Sequence, residues 1–207
     1  MASIVKARAR AVVLGIALAC VAAHAAVAKA PARKSPQAPS VVWDKEPTSF
    51  LGLELGKPLP SDLPVCPNDT VQRALTKTTC VMTYENTVKL WRGPDLGIPE
   101  SISALMYDSK VASVTLDANE QDFSTIKNLL VTRYGPPMKT SMSVVKAIAG
   151  GEFTSEESDW SGANVEITLY QRQGQIDQSE VFVQYRPLMK AFLDDRNAKQ
   201  SAAASKL

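Results

Sequence analysis

Histidine and cysteine are scarce in this chain of 207 residues. It has one histidine, His24, and three cysteines, Cys20, Cys66 and Cys80. We predict that the segment holding His24 and Cys20 is removed. A mature chain without histidine has no Ser-His-Asp or Cys-His arrangement and no histidine-containing zinc site. We therefore expect no catalytic residue, no metal and no cofactor, and favour a non-enzymatic protein. The alternative of an enzyme without histidine would have to use carboxylates, Lys, Tyr or Ser.

The first 28 residues follow the order of a secretory signal peptide. Three basic residues precede an apolar run over 11–23, and small residues follow at 23–28. The run is shorter than the roughly 20 residues that a helix needs to span a bilayer. We predict cleavage at about residue 25–28, a periplasmic or secreted protein, and no membrane span after cleavage.

Two other targeting signals match poorly. A lipoprotein cysteine needs a branched apolar residue three places before it, and Cys20 has Ala17 there. The last three residues, Ser205 to Leu207, spell the peroxisomal signal SKL. A cytosolic receptor reads that signal, and an exported protein would not meet it. We interpret both matches as coincidental.

Removal of the signal peptide changes the charge and the cysteine count. The 23 Lys and Arg fall to 20 against 21 Asp and Glu, so the net charge changes from +2 to −1. This balance does not favour a nucleic-acid partner. The two remaining cysteines, Cys66 and Cys80, predict a disulfide in an oxidising compartment. The alternative is two free thiols, and the spacing is not that of a CxxC redox pair.

The remaining chain divides into three parts. Residues 29–48 are rich in Pro, Ala and Lys, which indicates an extended linker. Pro36 and Pro39 form a PxxP match to a polyproline ligand. We interpret the segment as a spacer instead, because the proteins that usually bind this motif are cytosolic. Residues 49–187 are long enough for a single domain. We expect a C-terminal helix and a frayed tail over 188–207.

Alternating apolar residues predict the strands of this domain. "SFLGLELG" (49–56), "KTTCVMTY" and "TVKLWR" each indicate one strand, and "SISALMYD" with "KVASVTLD" indicates a hairpin that turns at Asp108-Ser109. "GANVEITLYQR" and "SEVFVQYRP" indicate a second pair. Residues 138–151 are left open between a strand and a mobile loop.

One helix is predicted over about 120–134. Phe123, Ile126, Leu130 and Tyr134 fall on one of its faces. Asp117 or Asn119 can cap its start, and Gly135 suits the left-handed position after its end. The expected fold is α+β, an antiparallel sheet of about five to six strands with this helix packed on one face. Pro187 can begin a closing C-terminal helix.

Several motifs match known chemistry only in part. Ser143 and Lys146 form an SxxK match at a frequency that chance explains, and no partner box follows. Gly52 to Pro58 has the wrong spacing for a phosphate-binding loop. An acidic patch has no calcium-loop spacing and is interpreted as a solvated edge or loop; its members are Glu152, Glu156, Glu157 and Asp159.

Aromatic residues beside turns are the candidate partner-binding residues. Trp91 and Arg92 precede Gly93-Pro94, Trp160 precedes Ser161-Gly162, and Tyr170 should point away from the apolar face of its strand. Trp, Tyr and Arg are enriched at binding hot spots. The alternative for either tryptophan is packing in the core or at a strand end.

The pattern resembles a family of small exported domains of Gram-negative bacteria. "FLGLELGKPLP", Cys66 with Cys80, "FSTIKNLLVTRYGPP" and "WSGANVEITLYQRQGQIDQSEV" carry this resemblance, over about residues 50–186. It implies a periplasmic, non-enzymatic role and brings no catalytic residues. We expect a binding or accessory protein with a protein partner in the envelope. The alternative is an inhibitor or immunity protein against a secreted hydrolase, and the oligomeric state stays open.

Overall fold

The computed structural model describes residues 43–148 and 150–206, so the predicted signal peptide and most of the predicted linker lie outside the described residues. The strands are β1 (Ser49–Phe50), β2 (Leu53–Glu54), β3 (Cys80–Tyr84), β4 (Thr87–Trp91), β5 (Glu100–Tyr107), β6 (Lys110–Asn119), β7 (Lys139–Lys146), β8 (Glu152–Ser161), β9 (Val165–Tyr170) and β10 (Gln178–Tyr185). The helices are α1 (Thr70–Leu75), α2 (Phe123–Tyr134) and α3 (Arg186–Ala204).

An antiparallel sheet with few helices confirms the α+β class, but the number of strands was wrong. The main sheet has eight strands in the order β3-β4-β5-β6-β10-β9-β8-β7, not five to six. The two extra strands are β8 and β7, and β7 forms Lys139–Lys146 of the segment 138–151 that was left open between a strand and a mobile loop. The sequence of β8, "EFTSEESDWS", has too few apolar residues to give a clear alternating signal.

The predicted first strand is a small hairpin. β1 and β2 pair through Phe50 and Leu53, and Leu51 and Gly52 form the turn with φ of 50° and 83°. Two consecutive positive φ angles are the geometry of a tight hairpin turn. Backbone bonds fix the hairpin to β6, since Gly56 N–H donates to Val111 O and Val111 N–H donates to Lys57 O, both at 2.9 Å.

The core lies on one face of the sheet, under α2. The four helix residues predicted to share a face, Phe123, Ile126, Leu130 and Tyr134, are all buried. They pack with Leu116, Val181 and Leu169, which the strand register places in one row. The sequence therefore identified the correct face of the helix.

The predicted caps of α2 were only partly correct. A 3₁₀ turn over Glu120–Asp122 precedes the helix, and neither Asn119 nor Asp122 makes a capping bond through its side chain. Asp117 lies in β6, where it accepts a hydrogen bond from Gln178 Nε2 at 2.9 Å. Gly135 has the expected positive φ of 84°, with an extended ψ of −179° instead of the left-handed helical value.

Two tryptophans bind the C-terminal end of α2. Trp43 Nε1 donates to Tyr134 O at 2.9 Å, and Trp160 Nε1 donates to Gly135 O at 2.8 Å. The last carbonyls of a helix lack partners inside the helix. The two indoles therefore supply the donors that this buried helix end needs.

We expect Trp160→Phe to lower the free energy of unfolding by about 1–3 kcal/mol through the unpaired carbonyl, beyond the effect of lost ring volume. Trp91→Phe is the matched control, because Trp91 Nε1 is buried without a hydrogen-bond partner in the described part of the chain. Urea denaturation of both variants measures the difference. An equal loss in the two would contradict a role for the Trp160 hydrogen bond.

Trp43 and Glu46, inside the segment predicted as linker, contact the folded domain. Trp43 is buried, and the Glu46 carboxylate accepts the backbone N–H groups of Ala163, Asn164 and Val165 at 2.9, 2.6 and 2.7 Å. Proline-rich composition marked this segment as extended but did not reveal these two long-range contacts.

The pH dependence of stability should report on Glu46. Burial opposes ionisation, but the three N–H donors and Arg186 outweigh it and lower the pKa of Glu46 below its ordinary value of 4.5. A lowered carboxyl pKa stabilises the fold above the unfolded-state pKa, and the effect is lost as the pH falls through the folded-state value. We expect Glu46→Gln to cost about 1–3 kcal/mol at pH 7.

Urea denaturation between pH 7 and pH 3 measures this effect. The difference between the wild type and Glu46→Gln should shrink as the pH falls below 4.5. Glu54→Gln, at an exposed position of β2, is the control and should have the same free energy of unfolding as the wild type at each pH. A constant difference across this range would contradict the assignment.

Cys66 and Cys80 are placed as a disulfide pair, with their Cα atoms 5.0 Å apart.

Helix α3 has Pro187 in its first turn, as predicted. It continues to Ala204, beyond the start of the tail that we expected to fray, and Lys199 pairs with Asp195 one turn earlier at 2.8 Å. Within the described ranges, no helix is both long and apolar enough to cross a membrane.

Candidate functional site

The sheet has an apolar face and a polar face. Alternation places Leu116, Val181 and Leu169 toward α2, and their strand neighbours point to the opposite side. We call that opposite side the open face. Among its side chains on the central strands, Tyr170 and Phe182 are partly exposed, whereas Ser113 and Thr168 are buried. Helix α3 covers part of this face, since Phe192 packs on Tyr107 and the helix contacts β5, β6 and β10.

Side chains on the open face form rows across the strands. One row runs Glu157, Tyr170, Glu180 and Asp117, which are directly opposite one another on β8, β9, β10 and β6. We call these four residues the acidic row. The next row places Phe182 between Thr168 and Thr115. The site is thus a flat surface of two aromatic rings among carboxylates and hydroxyls.

The acidic row has no cationic partner in the part of the chain that the structure describes. None of its three carboxylates forms an ion pair within 4.0 Å there. Burial, together with Asp117 opposite, raises the pKa of Glu180. Burial and the neighbouring Glu157 likewise raise the pKa of Tyr170. Both shifts have the direction expected in a negative potential.

The acidic patch noted in the sequence divides between the two faces of β8. Glu156 points toward α2, where it accepts from Lys127 Nζ at 2.5 Å and from Ser158 Oγ at 2.7 Å. Burial raises the pKa of Glu156, but these two donors outweigh it and the pKa is lowered. Glu157 and Asp159 lie on the open face. The four residues therefore do not form one cluster. Glu156 pairs with Lys127 on the α2 side, Glu152 pairs with Lys146, and Glu157 and Asp159 lie on the open face.

Of the four predicted partner-binding residues, Tyr170 lies in the acidic row. Trp160 does not, because its side chain is 0% exposed in the core and its Nε1 donates to Gly135 O. The prediction that Trp160 contacts a partner is therefore wrong, and the alternative of core packing is correct. Burial overrides the general enrichment of tryptophan at interfaces.

Trp91 and Arg92 lie together at the far end of the sheet. Both line a cavity of about 500 Å³ with Lys89 and Met82, and Arg92 donates to Ala74 O at 3.3 Å. Four strand spacings separate β4 from β9, which is roughly 19 Å at about 4.8 Å per strand. Trp91 and Arg92 therefore do not form one contact cluster with Tyr170.

The SxxK match is excluded by its position in a strand. Ser143 and Lys146 lie in β7, where residues three apart point to opposite faces. Ser143 Oγ donates to Ser155 O at 3.5 Å, and Lys146 pairs with Glu152 at 2.9 Å. This serine and lysine cannot act on one substrate.

Sequence reasoning missed Asp117, Glu180 and Phe182 as site residues. Each falls on the polar side of an alternating strand, so their common face could have been inferred one strand at a time. The strand order, which places Glu180 opposite Asp117, could not be inferred from the sequence. Comparison with protein-family models, with curated proteins and with solved structures yields no match. The function is therefore argued from this site.

We expect Glu180→Gln to stabilise the fold at pH 7 by about 0.2–1 kcal/mol, the usual scale of a cross-strand pair. The raised pKa of Glu180 means that its charged form costs folding free energy at neutral pH. That cost disappears as the pH falls through the raised value, so the advantage of the variant should shrink at acid pH.

Thermal and urea denaturation at pH 7 and pH 4 measure this advantage. Glu85→Gln, at the exposed β3–β4 turn, is the control and should change neither value. A destabilised Glu180→Gln variant would mean that the Glu180 carboxylate has a stabilising partner instead.

Proposed function

We propose that this protein is an exported, non-enzymatic binding protein of the bacterial envelope that holds a protein partner on its open face. The acidic row carries this proposal. Glu157 and Glu180 lie on either side of Tyr170, and Asp117 lies beyond Glu180. None of the three carboxylates has a described cation within 4.0 Å. The partner that fits this surface presents lysine or arginine side chains.

The loss of folding stability that the acidic row causes supports a binding role. Like charges directly opposite each other on neighbouring strands destabilise a sheet. Two other partly buried carboxylates of the domain do have cationic partners, Glu120 with Arg172 at 2.9 Å and Glu156 with Lys127 at 2.5 Å. A destabilising arrangement of this kind is characteristic of functional sites.

The aromatic rings add the apolar part of an interface. Tyr170 of β9 lies in the acidic row, and Phe182 of β10 lies in the next row, diagonally opposite it. Both side chains are partly exposed. Tyrosine and phenylalanine are enriched in interface cores, and complementary charge accelerates association and selects the partner. The partner's cations would meet the row while its apolar atoms cover the two rings.

Export is part of the same proposal. The signal-peptide order of residues 1–28 and the Cys66–Cys80 pair both support an oxidising compartment outside the cytosol. The absence of a spanning helix from the described residues is compatible with this location.

In-cell photo-crosslinking tests the proposal. A photoreactive phenylalanine analogue at Phe182 should give an adduct with an envelope protein, and the same analogue at Ser124, exposed on α2, should not. A variant with Asp117→Asn, Glu157→Gln and Glu180→Gln should lose the adduct. A control variant with Glu54→Gln, Glu85→Gln and Asp194→Asn, at exposed acids elsewhere, should keep it.

The proposal fails if the adduct is as strong at Ser124, or if the neutral row retains it. Two measurements on the same preparation test export. The intact mass should show that the mature chain lacks residues 1–25 or 1–28. Thiol labelling under denaturant without reductant should leave Cys66 and Cys80 unmodified. If the captured partner is a secreted hydrolase and one equivalent of the protein blocks it, the alternative of an inhibitor or immunity protein is the correct one.

A further inference from the structure

An apolar cleft opens on the side of the sheet that α2 covers. The second half of α2, with Leu129 and Arg133, forms one wall, and the β1–β2 turn with the β4–β5 loop forms the other. Leu116 of β6 and Val181 of β10 form the floor. The cleft has a volume of about 780 Å³, within the roughly 300–1,000 Å³ of small-molecule sites.

The lining of the cleft is apolar with a single charge. Among the described residues that line it, Arg133 is the one charged side chain, and Ser49, Thr132 and Tyr134 have hydroxyl groups. Arg133 is exposed and lies over the Tyr134 ring, 6.0 Å from its centroid. No described carboxylate pairs with its guanidinium within 4.0 Å.

We propose that this cleft binds a single-chain amphiphile with an anionic head group, such as a fatty-acid carboxylate. The chain would cover Leu51, Leu96 and Leu129, and the head group would meet Arg133. Guanidinium groups bind carboxylates and phosphates through paired N–H donors. This binding goes beyond the proposed function, because it uses the opposite face of the sheet.

The walls of the cleft favour a free amphiphile over bilayer lipid. The lining lies on α2, on the β1–β2 turn and on the β4–β5 loop, so a bound chain would have protein on both sides. The floor residues Leu116 and Val181 are 2% and 0% exposed, so the chain would contact the more exposed lining, such as Leu129 at 45%. A chain held among its neighbours in a bilayer does not fit between two such walls.

Equilibrium dialysis of the exported chain with dodecanoate, below its micelle concentration, tests the proposal. Dodecanoate should bind one equivalent, and decanoate should bind about fifteenfold more weakly, at about fourfold for each of two methylenes. Dodecyltrimethylammonium, with the same chain and the opposite charge, should bind more weakly than dodecanoate.

Two matched pairs of variants locate the site. Arg133→Gln should weaken dodecanoate about fivefold and remove the preference over the cation. Arg196→Gln is its control, because Arg196 is also exposed and 6.0 Å from an aromatic centroid, that of Phe192. Leu129→Gln should weaken both amphiphiles, and Leu193→Gln, at an exposed leucine of α3, should weaken neither.

Three outcomes would overturn the proposal. The first is wild-type binding of the cationic and anionic amphiphiles with equal affinity, which needs no variant to fold. The second is equal effects of the cleft variants and their α3 controls. The third is co-flotation of the protein with phosphatidylglycerol vesicles in place of dodecanoate binding, which would assign the surface to bilayer lipid.

Discussion

The C-terminal end of α2 is the point on which the rest of the fold depends. Two consecutive carbonyls, those of Tyr134 and Gly135, accept the indole N–H groups of Trp43 and Trp160. Trp160 belongs to β8, and Trp43 precedes the first hairpin. One buried helix end therefore joins three segments that are distant in sequence. Without these donors the carbonyls would be buried and unpaired, which is costly in a core.

This attachment gives the sheet two different faces. By holding α2 over β6, β10 and β9, it buries one face, whereas the open face is covered only in part, where α3 packs on β5, β6 and β10. The buried face is incompletely filled between α2 and the first hairpin, which creates the apolar cleft. The open face has carboxylates and two aromatic rings instead. Alternation along the same strands thus separates the surface proposed for a cationic protein from the cleft proposed for an amphiphile.

Local patterns predicted the elements better than their arrangement. The period of α2 identified all four of its buried residues, and Asp108 and Ser109 form the predicted turn with φ of 50° and 59°. β8 was missed because its polar residues are buried or paired through contacts with other elements, such as Glu156 with Lys127. Likewise, the exposure of Tyr170 followed from one strand, whereas its acidic neighbours depend on strand order. Sequence therefore predicts which residues share a face of one strand, but not which strands meet.

The edges of the sheet explain why recognition is assigned to its face. An exposed edge strand invites pairing with another chain, and lysines at its ends oppose this. β7 begins with Lys139 and ends with Lys146. At the other edge, β3 is covered where Cys66 N–H donates to Val81 O at 2.8 Å and Val81 N–H donates to Pro64 O at 2.9 Å, and the Cys66–Cys80 bond fixes this cover. Because the β3 edge is covered at Val81 and the β7 edge has a lysine at each end, a partner is expected to recognise side chains on the open face.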